Sequence, residues 1–160
     1  MGLFSRKPKI DMEEAQKNKV KMRGLFNRAV SEGDSYEILY ATTGSTWKED
    51  GILSDTQVYQ FISLVFGYRE SDLKLVAVPV NIELTEFSEP LEIEISEVKY
   101  VKYRKKDHCL DMDFKERGRK SMYFGFSDIE QNSKSFVDNV SQEEERQKFM
   151  AFMEKYRAKL

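Results

Sequence analysis

The spacing of apolar positions changes once along the chain, and the change divides it. From Asp11 to about Ser31, Met22, Leu25, Phe26, Ala29 and Val30 recur at i, i+3, i+4, i+7 and i+8, which predicts a helix with one apolar stripe. Asp11 stands at its cap position, with Glu14 three residues on in the place of a capping box. The first half of this helix is mostly Lys, Asn, Gln and Glu and is expected to project into solvent; Gly33 stands where a helix stop belongs.

Beyond Gly33 the period falls to two. Tyr36–Thr42 reads as a first strand, followed by turn chemistry at Thr43–Thr46 and Glu49–Gly51 that leaves the lone Trp47 in a loop. Gln57–Arg69 is aromatic and β-branched and reads as a second strand. The tight turn Glu70–Asp72 then joins it to a third, Leu73–Val80, where Pro79 argues for an edge or a bulge. Leu91–Ile95 alternates aliphatic with Glu, and Val98–Arg104 follows as a fifth strand. His108–Lys115 places Leu110, Met112 and Phe114 on one face and Cys109, Asp111 and Asp113 on the other; Ser121–Phe126 is the seventh strand. Asp128–Asn139 reads as a polar loop. A final helix is predicted from Ser141, with Glu144 in the capping-box place and Phe149, Phe152, Met153, Tyr156 and Leu160 in one stripe. Glu143–Glu145 in its first turn and Lys155, Arg157 and Lys159 in its last suit the helix dipole.

Composition narrows the classes of function. The 160 residues carry 26 Lys+Arg and 28 Asp+Glu, a net charge of −2, which argues against a protein that coats nucleic acid. Cys109 and His108 are the only residues of their kinds, so neither a four-ligand thiolate zinc site nor an internal disulfide can be assembled. Neighbours on a strand point to opposite faces, so His108 and Cys109 diverge and do not form a nucleophile–base pair. No other nucleophile–base or acid pair stands at interpretable spacing, and the expectation is a protein that is not an enzyme and takes no cofactor or metal. The residues Met1–Lys9 lack the order of a signal peptide, and Arg6 stands where a myristoylation pattern needs Ser or Thr. The longest apolar runs, 61–68 and 75–80, are far short of the ~20 residues of a membrane helix, and a cytoplasmic protein is expected.

Seven short strands in hairpin succession and one amphipathic C-terminal helix form an order that resembles the pleckstrin-homology-like superfold, and within it the bacterial, GRAM-like branch. The likeness is greatest from Glu97 to Leu160, where Val98–Arg104, Cys109–Phe114 and Met122–Phe126 look like the last three strands and Phe149, Phe152, Met153 and Tyr156 like the plugging face of the helix. It implies an α+β class: a bent, partly open seven-stranded antiparallel β-barrel capped by the C-terminal amphipathic helix, with an added N-terminal helix. The domain would span 34–160, with 1–33 a flexible leader and helix. The final helix lacks the Trp often found in eukaryotic members.

Charge then sorts the candidate sites. The run 82–97 holds six Glu and no cation, 99–120 holds nine cations against four acids, and 1–23 seven cations against three acids. In the layout that the resemblance implies, lipid headgroups meet the end where Lys115, Arg117, Arg119 and Lys120 form a basic hairpin. Glu49, Asp50, Asp55, Glu83, Glu86 and Glu89 surround that hairpin and would repel an anion or pair with it. Asp111 and Asp113 share a strand face near Glu92 and Glu94; cross-strand pairing with Lys99, Lys115 or Lys120 is the ordinary role for such carboxylates. Trp47 is either a binding anchor or a side chain folded onto the core. The first expectation is therefore a non-enzymatic module that recruits a protein partner through Met22, Phe26 and their neighbours, through Trp47, or through an open sheet edge. The alternative is a peripheral membrane module in which Leu3 and Phe4 with Arg6, Lys7 and Lys9 act beside the 115–120 hairpin. Nucleic acid is not expected as a partner, and the exposed half of the first helix could meet a second copy.

Overall fold

The computed structural model describes residues 9–49 and 56–160; Leu3, Phe4, Arg6, Lys7, Asp50 and Asp55 lie outside the described residues. The order is α1 (Met12–Ala29), β1 (Glu37–Glu49), β2 (Thr56–Arg69), β3 (Lys74–Val80), β4 (Leu91–Ile93), β5 (Val98–Arg104), β6 (Cys109–Phe114), β7 (Met122–Gly125) and α2 (Glu143–Ala158). The class is α+β: an open, seven-stranded antiparallel sheet, ordered β4-β3-β2-β1-β7-β6-β5, with two helices. No helix of the described residues is long and apolar enough to cross a membrane.

The sheet must bend. Seven flat strands would set β4 and β5 roughly 29 Å apart at the usual strand spacing. Only Glu94–Glu97 connect Ile93 to Val98, and five chain steps reach about 17 Å. The concave side holds a core from every strand: Leu39, Leu64, Phe66, Leu75, Ile93, Val101, Leu110, Met112 and Phe124, joined by Phe149, Phe152, Met153 and Tyr156 of α2. A second core lies on the opposite face of β1–β3. There Met22, Leu25, Phe26 and Val30 meet Tyr36, Tyr40, Val65, Val76 and Val78, with Val137 and Val140 from the segment before α2.

Several expectations change. Met22 and Phe26 are 4% and 0% exposed, covered by the chain's own sheet, and are not an open partner surface. The first half of α1 is not a free solvated arm: Ala15 is buried, Asn18 donates to the carbonyl of Asp138 at 2.7 Å, and Lys19 pairs with Glu145 at 2.9 Å. Asp11 does cap α1, accepting from the amides of Glu13 and Glu14. The amide of Asp11 donates to Asn139 Oδ1 and not to Glu14, whose carboxylate is with Lys17. The helix ends at Ala29 with Val30 extended, three residues before Gly33. Gly33 serves close packing instead, since a Cβ there would stand 2.9 Å from the Asn27 Cα.

The turn expected at 43–46 is strand. Residues Glu37–Glu49 pair one for one with Thr56–Tyr68, Trp47 opposite Val58. A continuous ladder against Val58, Tyr59, Phe61 and Ile62 satisfies the backbone groups of every second residue and overrides the turn preference of Gly44 and Ser45. Trp47 is therefore a strand residue; its side chain lies outside the described part of the structure. Helix α2 starts after Gln142, not at Ser141, and no side chain caps it. The Gln142 side chain is turned inward: its oxygen accepts from the Tyr40 amide at 2.7 Å, and its nitrogen donates to the carbonyls of Tyr40 and Phe126. The loop at 128–139 is tied down by a two-bond bridge between Ile129 and Val140.

Candidate functional site

Strand β5 ends the sheet, and its free edge can be read residue by residue. The Phe126 amide donates to the His108 carbonyl at 2.8 Å. This makes the opposed residues Cys109 and Gly125 a pair that does not exchange hydrogen bonds across β6 and β7. Cys109 then turns its own amide and carbonyl towards β5, where it faces Arg104. In an antiparallel ladder the bonded pairs alternate, so Lys102 bonds with Asp111, and Tyr103 and Val101 do not bond with Leu110 and Met112. The N–H and C=O groups of Val101 and Tyr103 thus point outward from the last strand. A register shift between Val98 and Tyr100 marks the start of this stretch.

These outward groups lie beside a hollow of about 340 Å³, walled by Tyr100–Tyr103 on one side and by Met153, Glu154 and Arg157 on the other. The seam continues past the strand into a second hollow of about 250 Å³, between Lys105 and His108 of the β5–β6 turn and Glu143, Arg146, Gln147 and Met150. Strand β5 and helix α2 therefore run in opposite directions along one trough. The strand is well anchored. Val101 is 2% exposed, and the Tyr103 ring packs on Phe126 and Phe149 at 6.3 and 5.8 Å. Burial pushes the Tyr103 phenol above its ordinary pKa, and its hydroxyl is enclosed without a partner.

The outer face of this edge is basic. Lys99, Tyr100 and Lys102 are exposed, and among the described residues neither lysine, nor Arg157, has a carboxylate within salt-bridge distance. Arg104 by contrast is engaged by Asp107 and Asp111 at 3.2 and 3.3 Å. On the helix wall Glu154 and Arg157 offset each other, so the positive excess comes from the strand. The other end of the sheet differs: β4 offers three residues, and Glu92 within it and Glu94 just after it are already held by Lys74 at 3.4 and 3.5 Å.

The residues singled out from sequence scatter over the molecule. Met22 and Phe26 belong to the outer core. In the basic hairpin Lys115, Arg117 and Lys120 are exposed; Arg119 is occupied, its guanidinium 3.6 Å from the centre of the Phe114 ring and 3.5 Å from Glu97. Asp111 pairs with Arg104, and Asp113 accepts from Ser121, not from the lysines expected. Among the described residues no three His, Cys, Asp or Glu converge as a metal site would require. The Cys109 sulfur lies 2.9 Å from the Tyr123 hydroxyl, and this bond is the main cause of the raised Tyr123 pKa. The sequence offers an open sheet edge without saying which strand supplies it, and does not single out Val101 and Tyr103. The edge's one visible signal is a strand carrying Lys99 and Lys102 with no acid between them.

Compared with protein-family models, with curated proteins and with solved structures, the chain matches none.

Proposed function

We propose that this chain is a non-enzymatic binding module of the pleckstrin-homology-like kind, acting in the cytoplasm, that recruits a protein partner by accepting an extended segment of it as an eighth strand. The bent sheet is read as a partly open barrel with α2 as its plug, which leaves β5 as the docking edge. The observation that carries the reading is the pair of outward-facing backbone groups at Val101 and Tyr103 beside the hollow that α2 walls. A strand laid there gains main-chain bonds worth about 0.5–1.5 kcal/mol each, and side chains in the trough add selectivity. The β5 edge is longer than β4 and rests on a rigid core, so little ordering is needed on the protein's side.

Amide hydrogen exchange on the full chain tests this with a library of extended octapeptides. The peptides that bind are expected to slow exchange at Val101 and Tyr103 and to leave α1 unchanged. Slowed exchange confined to the 115–120 hairpin, or appearing only with anionic lipid vesicles, would overturn the reading in favour of a membrane module.

A further inference from the structure

Resting on that reading of the β5 edge, we infer that the recruited segment alternates carboxylate and apolar side chains. Carboxylates stand opposite Tyr100 and Lys102, and apolar residues opposite Val101 and Tyr103. Parity is the first ground. Residues opposite one another in a ladder share a face, and successive residues change face. The positions facing Val101 and Tyr103 therefore turn to the concave side, where Met153 walls the trough and both strand residues reach into the inner core. The positions facing Tyr100 and Lys102 turn outward, to the surface where Lys99 and Lys102 have no carboxylate within salt-bridge distance among the described residues, Asp111 opposite Lys102 being engaged by Arg104.

Charge is the second ground, and it also excludes the nearest rival. A second copy pairing β5 against β5 would set Lys99 and Lys102 of one molecule against those of the other, a repulsion of the kind that keeps natural sheet edges apart. The chain's own Leu91-Glu92-Ile93 has the inferred pattern, but it is built into the sheet beside β3 and spans three residues. It does show the rule at work inside the fold. Ile93 is fully buried while Glu92 turns out, and Lys74 on the neighbouring strand bridges Glu92 and Glu94. The β5 edge presents the basic half of the same arrangement: on its β6 side Asp111 is held by Arg104 and Asp113 by Ser121, and its outer side is open.

Three labelled octapeptides test this by fluorescence anisotropy with the full chain at low salt. One alternates Glu with Leu and Ile, one replaces each Glu by Thr, and one replaces each Glu by Lys. The acidic peptide is expected to bind about tenfold more tightly than the Thr peptide, from two cross-strand charge pairs. It should lose that advantage in high salt. The double substitution Lys99→Glu with Lys102→Glu, at exposed positions that leave the core intact, should reverse the preference towards the Lys peptide. Equal binding of the acidic and Thr peptides, with exchange slowed at Val101 and Tyr103, would overturn the acidic pattern while the strand-addition reading stands. If no peptide slows exchange at those amides, the strand-addition reading falls and this inference falls with it.

Discussion

The two cores of this protein lie back to back on one sheet and are held by different means. The inner core, under α2, is a continuous aromatic packing: Phe149 touches Phe66, Tyr68, Tyr103, Phe126 and Phe152 at centroid distances of 4.7 to 6.2 Å. The outer core, under α1, is largely aliphatic and centres on one ring, Phe26, seated over Gly67. Polar tethers supplement it. Arg23 donates to the carbonyls of Gly33 and Tyr36, both at 2.9 Å, and the Tyr40 hydroxyl accepts from the Val137 amide and shares a bond with Ser63. The helix that walls the proposed docking trough is thus fixed by packing in depth. The helix on the far face is fixed by a narrower stripe, Met22, Leu25 and Phe26, and by the polar tethers. A surface meant to receive a strand without first rearranging belongs on the former.

Removing the keystone of the inner core should have the largest effect. Phe149→Ala deletes a ring that is fully buried and shared by five aromatic neighbours. Such truncations cost about 3–5 kcal/mol, a large part of the 5–15 kcal/mol typical of a domain. Urea denaturation should show that loss in one transition, because β1, β2 and β3 belong to both cores. A cost below about 2 kcal/mol, within the range of a minor core truncation, would show that the aromatic packing is not what holds α2.

The outer core can be loosened without touching the inner one. A Cβ at Gly67 would fall 2.3 Å from Cζ and 2.6 Å from Cε2 of Phe26, so the buried ring must leave its seat. Gly67→Ala is expected to cost about 1–3 kcal/mol by overpacking. Amide exchange should quicken along α1 while α2 stays protected. Adding Phe26→Leu, which withdraws the ring edge, should restore part of the loss. Equal quickening in both helices would mean that the two cores open as one unit.

The element order was legible in the sequence because each strand or helix declared its period in its own residues. Both helices and six of the seven strands are where the apolar spacing puts them, within a few residues; β1 starts there but runs seven residues past Thr42. The errors share a cause: a tertiary partner outbid a local preference. Gly44 and Ser45 carry turn chemistry, yet the ladder to β2 runs through them. Gln142 displaces Ser141 at the start of α2, because its amide is drawn inward to three backbone groups. Met22 and Phe26 look like an offered face in the sequence, since periodicity reports that a stripe is apolar and is silent on what covers it. The free β5 edge was hidden for a related reason. Whether Val101 or Lys102 turns its backbone outward depends on the register with β6, which no local pattern encodes.

The smallest effect concerns an ion pair that joins the two helices. Lys19 on α1 and Glu145 on α2 meet at 2.9 Å with side chains 37% and 28% exposed, at the mouth of a cavity of about 250 Å³ floored by Ala15, Met22, Leu39 and Val140. Partial exposure keeps such a pair weak: water screens the attraction, and both long side chains lose freedom. Lys19→Ala is expected to cost about 0.2–1 kcal/mol, and most of that should vanish in molar salt. If the pair is the latch between the cores, Lys19→Ala and Glu145→Gln should each cost no less than the double substitution, because either one alone breaks it. Additive costs would show instead that the two helices respond independently, and that only the shared strands β1–β3 carry information from one core to the other.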